Sequence, residues 1–215
     1  NIVDKDFIVN MNKKLCQGEE VVQGYRDIKN PTDSWVSAGY AIFYWTMNRF
    51  YHLARYNLGL SPLINGTGFM VKFDLVKPTN GFDTVTLTED IEFSLKTIIS
   101  GKKLGWATDA IVYDEQPTSF KQSWSQRSRW TVGHMQCIKK YTKDLFLAVK
   151  EHKTLMNLDG FLYIAGTTPM LVITMVLMLI NCVMYASQTM NSAEFVVNLL
   201  NYVIPTLLLP IGTAL

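Results

Sequence analysis

Residues 86–115 read TLTEDIEFSLKTIISGKKLGWATDAIVYDE. The first half has the marks of a helix from about Thr88 to Ser100. Three acids, Glu89, Asp90 and Glu92, stand in its first turn, Ile91, Leu95 and Ile98 follow at helical spacing, and Gly101 is placed to end it. The second half, LGWATDAIVYDE at 104–115, reads as one strand or a pair of short ones. A helix that turns at a glycine into a strand is an α/β unit, and it sets the class expected for the polar part of the chain.

Neighbouring segments extend the same alternation. Residues 4–16 suit a helix, VVQGYRDI at 21–28 a strand, and SWVSAGYAIFYWTMNRFYHLARYNLGL at 34–60 a long helical stretch ending near Gly59. INGTGFMV at 64–71 reads as a short strand broken by two glycines. Only some 120 residues belong to this part, and it opens on a helix-like run, so its sheet is expected to lack strands.

The rest of the chain is a different material. All twenty Lys and Arg residues lie before position 160, and the last 55 residues hold one acid, Glu194, so the net charge of +2 hides a basic part followed by an oily one. That asymmetry points to a membrane partner rather than to nucleic acid. FLYIAGTTPMLVITMVLMLINCVMYA at 161–186 has 26 uncharged residues, and about 20 cross the hydrocarbon core. FVVNLLNYVIPTLLLPIGTAL at 195–215 is long enough as well, although it contains Pro205 and Pro210. Two transmembrane helices are therefore expected in 160–215. Lys139, Lys140, Lys143, Lys150 and Lys153 precede them, whereas the link at 187–194 has no Lys or Arg. The positive-inside rule then puts residues 1–159 in the cytoplasm of a multi-pass cell-membrane protein. A run so late in the chain is no signal peptide. Cys16, Cys137 and Cys182 suggest neither a disulfide framework nor a zinc site.

The acids at 89–92 admit two readings. Thr86 and Glu89 fit a capping box, which would make them a helix start and nothing more. Crowded carboxylates also repel one another, which raises the pKa of at least one toward the range of a general base. QRSRWTVGH at 126–134 is equally open. On a helix Gln126, Arg129, Trp130 and Gly133 share one face, which joins an amide, a cation and an aromatic plate suited to an anionic ligand that carries a ring. Such a helix also suits the headgroup level of a membrane. Residues 117–159, with Trp124, the basic cluster and LFLAV at 145–149, fit amphipathic helices on that surface.

Thr88-Glu89-Asp90, followed about 35 residues later by Gln126-Arg127-Ser128-Arg129-Trp130 and then by apolar runs, resembles the family 2 inverting glycosyltransferases of the processive, membrane-embedded kind. Cellulose, chitin, hyaluronan and poly-N-acetylglucosamine synthases share that order. QGYRDIKNPTDSW, INGTGFMV and AIVYDEQPTSF are similar as well, so the resemblance covers most of residues 20–135. It implies the C-terminal part of a GT-A type catalytic domain at 1–120, interfacial helices at 121–159 and membrane helices at 160–215. Asp90 would be the base that takes the proton of an acceptor hydroxyl, and Glu89 would hold the local geometry. Gln126 and Arg129 would face the donor diphosphate, and Trp130 would floor the acceptor site. Gly66, Thr67 and Gly68 would lie beside the acceptor, or form no more than a tight turn.

The resemblance also implies partners: a nucleotide sugar, taken to be a UDP-sugar, a growing glycan or lipid-linked acceptor, and membrane lipid. In related sequences a stretch resembling NIVDKDFI, residues 1–8 here, follows directly after the family's Asp-x-Asp motif, which holds Mg²⁺ or Mn²⁺, so that motif itself is expected upstream of this chain. No metal ligand is therefore expected in this chain, the ion is expected to serve only a full-length parent, and the chain alone is expected to be inactive. A non-processive lipid glycosyltransferase and a non-catalytic cytoplasmic domain of a membrane scaffold or transporter remain as other readings.

Overall fold

The computed structural model describes residues 1–78, 81–187 and 191–201, with 167–172 described by their backbone alone. The chain divides into two units, Asn1–Phe161 and Leu162–Leu215.

In the first unit, strands β1 (Ile2–Val3), β2 (Val21–Ile28), β3 (Phe69–Val71) and β4 (Gly105–Asp114) form one mixed sheet in the order β1-β4-β2-β3. β2 and β4 are parallel neighbours, and β1 and β3 run antiparallel on the outer sides of β4 and β2. Val21, Val22, Gln23 and Gly24 are buried in succession, as a strand covered on both faces requires. The segment at 104–115 proves to be one strand with an irregularity: Gly24 pairs with Ala107 but Tyr25 with Ile111, so 108–110 bulge. The bulge brings the Ala110 carbonyl oxygen to 2.6 Å from where a Cβ on residue 24 would lie, and only glycine fits there.

Helix α1 (Phe7–Cys16) covers one face of the sheet, packing Phe7 and Met11 on Val22, Ala107, Ala110 and Val112. Helix α2 (Trp35–Thr46) starts at Ser34, which exchanges capping hydrogen bonds with Ser37. It continues through a π-helical segment, Met47–Leu53, into α3 (Ala54–Asn57) and stops before Gly59, whose φ is 74°. The long helical stretch expected at 34–60 is thus present, with one widened turn. That turn carries two buried polar side chains. Asn48 Nδ2 donates to the Arg26 carbonyl at 2.8 Å, and His52 meets Asn65 Nδ2 at 2.9 Å while stacking on Trp106. Burial, helped by the Arg55 charge, lowers the His52 pKa to about 3, so the ring is neutral.

The strand expected at 64–71 shortens to β3. Gly66 and Gly68 have φ of 75° and 63°, outside the β region, and residues 65–68 form a loop. After α4 (Phe73–Val76), helix α5 (Glu89–Ile99) ends as its sequence predicts: the Gly101 amide bonds Ile98 O at 2.9 Å and the Lys102 amide bonds Thr97 O at 3.1 Å. Its start differs. Thr88 is the N-cap and makes no side-chain cap bond, so the capping box of Thr86 and Glu89 does not form.

Helix α6 (Phe120–His152) is one rod of 33 residues. Ser123, Gly133, Cys137, Tyr141, Leu145 and Ala148 line its buried face, at the spacing of a helix packed along one side. Helix α7 (Leu155–Ala186) follows, anchored near its start by an ion pair between Asp159 and Arg55 at 2.9 Å.

The two expected membrane crossings are not shown. Among the described residues no helix is long and apolar enough to cross a membrane. Of the run expected to span at 161–186, the side chains of 167–172 lie outside the described residues. The second expected span, 195–215, lies mostly outside the described residues. Of the second unit, residues 192–201 are helical, capped by reciprocal hydrogen bonds between Asn191 and Glu194.

Candidate active site

The three acids of the TED stretch, equivalent on paper, have three environments. Glu92 is fully buried and turns back to accept from the amides of Val85 at 2.8 Å and Thr86 at 2.7 Å. It also takes the Tyr141 hydroxyl at 2.5 Å and Lys140 Nζ at 3.2 Å from α6. Burial pushes its pKa up, but the Tyr141, Thr86 and Val85 hydrogen bonds outweigh that and hold the carboxyl down at about 2. Glu92 is a structural anion that ties α5 to α6. Glu89 is exposed.

Asp90 stands between these extremes. Its Oδ1 accepts the Ile91 amide at 2.8 Å, while Oδ2 faces Gly66, 3.2 Å from where a Cβ on that residue would lie. Burial raises its pKa to about 6; the neighbouring Glu89 charge adds to the rise, and the Ile91 amide and the Arg26 guanidinium oppose it. A carboxyl in that range is ionised at neutral pH and still basic enough to accept a proton from a hydroxyl group in a transition state.

The loop facing Asp90 is held from β2. Gln23, fully buried, accepts the Asn65 amide on Oε1 at 2.9 Å and donates from Nε2 to Thr67 O at 3.0 Å. Arg26 Nη1 donates to Asn65 O at 2.7 Å. Both ends of the loop's polar backbone are thereby satisfied by one strand. Asn1 Nδ2 reaches the Thr67 hydroxyl at 2.9 Å.

The second motif is docked on the first. In α6, Gly133 lies so near Thr88 that a Cβ there would come within 2.8 Å of its backbone nitrogen. Leu87 donates its amide to Gln136 Oε1 at 2.9 Å, and the Cys137 thiol sits by Thr88. Arg129 and Gln126 precede Gly133 by one and two helical turns on the same face. Arg129 is exposed, whereas Gln126 is half-buried with its Oε1 buried and unpartnered. Trp130 is half-buried, edge-on to Tyr40 with ring centres 6.3 Å apart. Tyr40 also bonds Ser123 at 3.1 Å, and Arg127 lies 4.9 Å over its ring.

Several site residues were not singled out by sequence. Arg26 pairs with Asp114 from β4, through Nε at 3.0 Å and through a shorter Nη2 contact, and lies 4.1 Å over the Tyr44 ring. Gln116 Nε2 donates to the same Asp114 oxygen at 2.8 Å. The available signal was a Gln and an Arg inside a strand that otherwise reads as buried. Among the described residues no group of three or more His, Cys, Asp or Glu converges to hold a metal ion.

The family profile described as "Glycosyl transferase family group 2" matches residues 3–213. Relatives include glycosyltransferase YdaM of Bacillus subtilis (strain 168), 26% identical over 46% of this chain and 24% of its own length. YaiP of Escherichia coli (strain K12), named as an uncharacterized glycosyltransferase, is 29% identical over 41% of this chain and 22% of its own. Glucomannan 4-beta-mannosyltransferase 1 of Cyamopsis tetragonoloba is 28% identical over 38% of this chain and 15% of its own. This chain spans under a quarter of the length of these relatives. By the match across nearly its whole length, the chain belongs to the family 2 glycosyltransferases.

Proposed function

We propose that this chain is the acceptor and base half of an inverting glycosyltransferase that extends a glycan from a nucleotide-sugar donor at the cytoplasmic face of a cell membrane. The observation that carries the reading is the separation of the three acids. Only Asp90 combines a proton affinity near neutrality with an oxygen facing a residue that has no side chain. Asp90 Oδ2 takes the proton of the acceptor hydroxyl as that oxygen bonds the anomeric carbon. The bond from that carbon to the diphosphate breaks on the opposite side, which inverts the centre. Arg129 and Gln126 meet the charge left on the nucleoside diphosphate, and Trp130 stacks on the terminal sugar. Glu89 raises Asp90's basicity by its charge, and the backbone of Gly66, Thr67 and Gly68 borders the acceptor.

A glycan acceptor is favoured over a lipid by relatives named for glucomannan mannosyl transfer. A membrane location is supported by the exposed apolar side chains of Ile173, Met175, Leu179 and Val183 on α7 and by the absence of basic residues after 160. The divalent cation would be bound outside the described residues, in the full-length protein. Full-length protein in membranes, given labelled UDP-sugars and other nucleotide sugars, should yield polymer. Labelled lipid would instead establish the single-transfer reading, and no product with any donor would leave a non-catalytic domain.

A further inference from the structure

Arg26 is buried in the middle of β2, and its donor nitrogens divide between two tasks. Nε and Nη2 face Asp114, whose Oδ2 also takes the Gln116 amide. Nη1 goes to Asn65 O at 2.7 Å. The guanidinium face lies on Tyr44, and Asn48 from the π turn holds the residue's own carbonyl. An ion pair that served only to neutralise Asp114 would need no contact with residue 65. The third nitrogen therefore links the pair to the loop, and the next residue in that loop is Gly66, which faces Asp90 Oδ2.

We propose that Arg26 is a positioning residue for glycosyl transfer: clamped by Asp114, it holds the 65–68 loop so that the Gly66 backbone lies against the Asp90 carboxylate. This rests on the reading of Asp90 as the base. A loop that withdrew would open the space beside Oδ2 and let both water and acceptor take several poses, and a misplacement of about 1 Å can cost 10²-fold in rate. Gln23 alone cannot replace the clamp, because it binds the amide of Asn65 and the carbonyl of Thr67 but not the Asn65 carbonyl. The charge of Arg26 acts on Asp90 as well. The groups around that carboxyl are Glu89 on its own helix, Arg26 on β2, Tyr44 on α2 and Cys137 on α6. Arg26 is the one cation among them.

The test uses full-length protein, nucleotide-sugar turnover and melting. Arg26→Lys keeps the charge beside Asp114, but a single ammonium cannot serve two acceptors in the geometry of a fork. It should lower kcat by roughly 10- to 100-fold with donor KM within about twofold, because the donor is bound elsewhere. Arg26→Met should in addition move the acid limb of the kcat/KM profile to higher pH, because the guanidinium opposes the rise in the Asp90 pKa. Loss of a purely structural pair would lower the melting temperature and leave kcat per folded molecule unchanged. If Arg26→Lys fails to fold, the paired change Arg26→Met with Asp114→Leu removes both charges at once and should still show the kcat loss. A folded Arg26→Lys or paired variant within twofold of wild-type kcat overturns the proposal. If Asp90→Asn keeps wild-type turnover, the base assignment itself has failed. If Asp90→Asn is inactive while Arg26→Lys is normal, only the role of Arg26 has failed.

Discussion

Gly133 and Thr88 are in contact so close that a Cβ on residue 133 would lie 2.6 Å from Thr88 Cγ2 and 2.7 Å from its Oγ1. Thr88 is two residues before Asp90, and Gly133 is one turn after Arg129. One missing side chain therefore sets the distance between the stretch that carries Asp90 and the helix that carries Arg129.

Gly133→Ala should force α6 away from α5. The nearest atoms include the Thr88 backbone nitrogen, which cannot rotate aside. Thermal unfolding should show a loss of about 1–3 kcal/mol, the scale of overpacking. Turnover should fall by more than the unfolded fraction explains, since the two motifs separate. Unchanged melting and turnover would mean that the contact is looser than described.

Asp90→Asn keeps the shape of the side chain and removes the proposed base, so turnover should fall by about 10²- to 10⁴-fold. Stability should move the opposite way. The folded pKa of Asp90 is raised from 3.8 to about 6, so its ionised form destabilises the fold above that range. The penalty is relieved as pH falls through 6 toward 3.8. The Asn variant should exceed wild type by up to about 3 kcal/mol at pH 8, and the advantage should vanish near pH 4. Equal melting at both pH values would count against a perturbed Asp90.

The pH profile of kcat/KM should carry an acid limb near pH 6. Asp90 must be ionised to accept a proton, so activity falls as pH drops through its pKa. Steady-state rates from pH 5 to 8 measure this, and a limb near 4 would point to an unburied carboxylate.

Glu92→Gln should destabilise without touching the chemistry. Its folded pKa is held at about 2, below the usual 4.5. The stability it contributes is complete above pH 4.5 and is lost as pH falls toward 2. At pH 7 the variant should lose about 2–4 kcal/mol in denaturant unfolding, with the gap to wild type closing in acid. Turnover per folded molecule should stay within about threefold.

In the proposed reading Arg129 and Gln126 supply only part of the diphosphate site, so this chain alone should bind a uridine nucleotide weakly, and Mn²⁺ should not improve it. In the full-length protein Mn²⁺ should tighten binding, and Arg129→Ala should weaken it by about 1.5–3 kcal/mol. Titration calorimetry on the chain, the full-length protein and the variant measures each contribution. Micromolar, metal-dependent affinity in the chain alone would show that its metal ligands had been missed.

The α/β class, the helix at Glu89–Ile99, its glycine stop and the long helix ending before Gly59 were all legible in the sequence, because local spacing and backbone preference determine them. The order of the two motifs could be read there too, but their contact through Gly133 and Thr88 is a tertiary feature. Tertiary structure alone sorted the three acids. Glu92 became an anchor because Tyr141 and two amides converge on it, whereas Asp90 became basic because burial gives it one amide and an open glycine. Arg26 and Asp114 escaped notice because they are 88 positions apart, and only the parallel pairing of β2 and β4 brings them together. The shortened strand at Phe69–Val71 has the same origin: Gln23 and Arg26 bind the 65–68 backbone, which takes it out of the ladder. Local pattern decides what a segment can form, but a side chain's proton affinity and partners depend on which distant segments close around it.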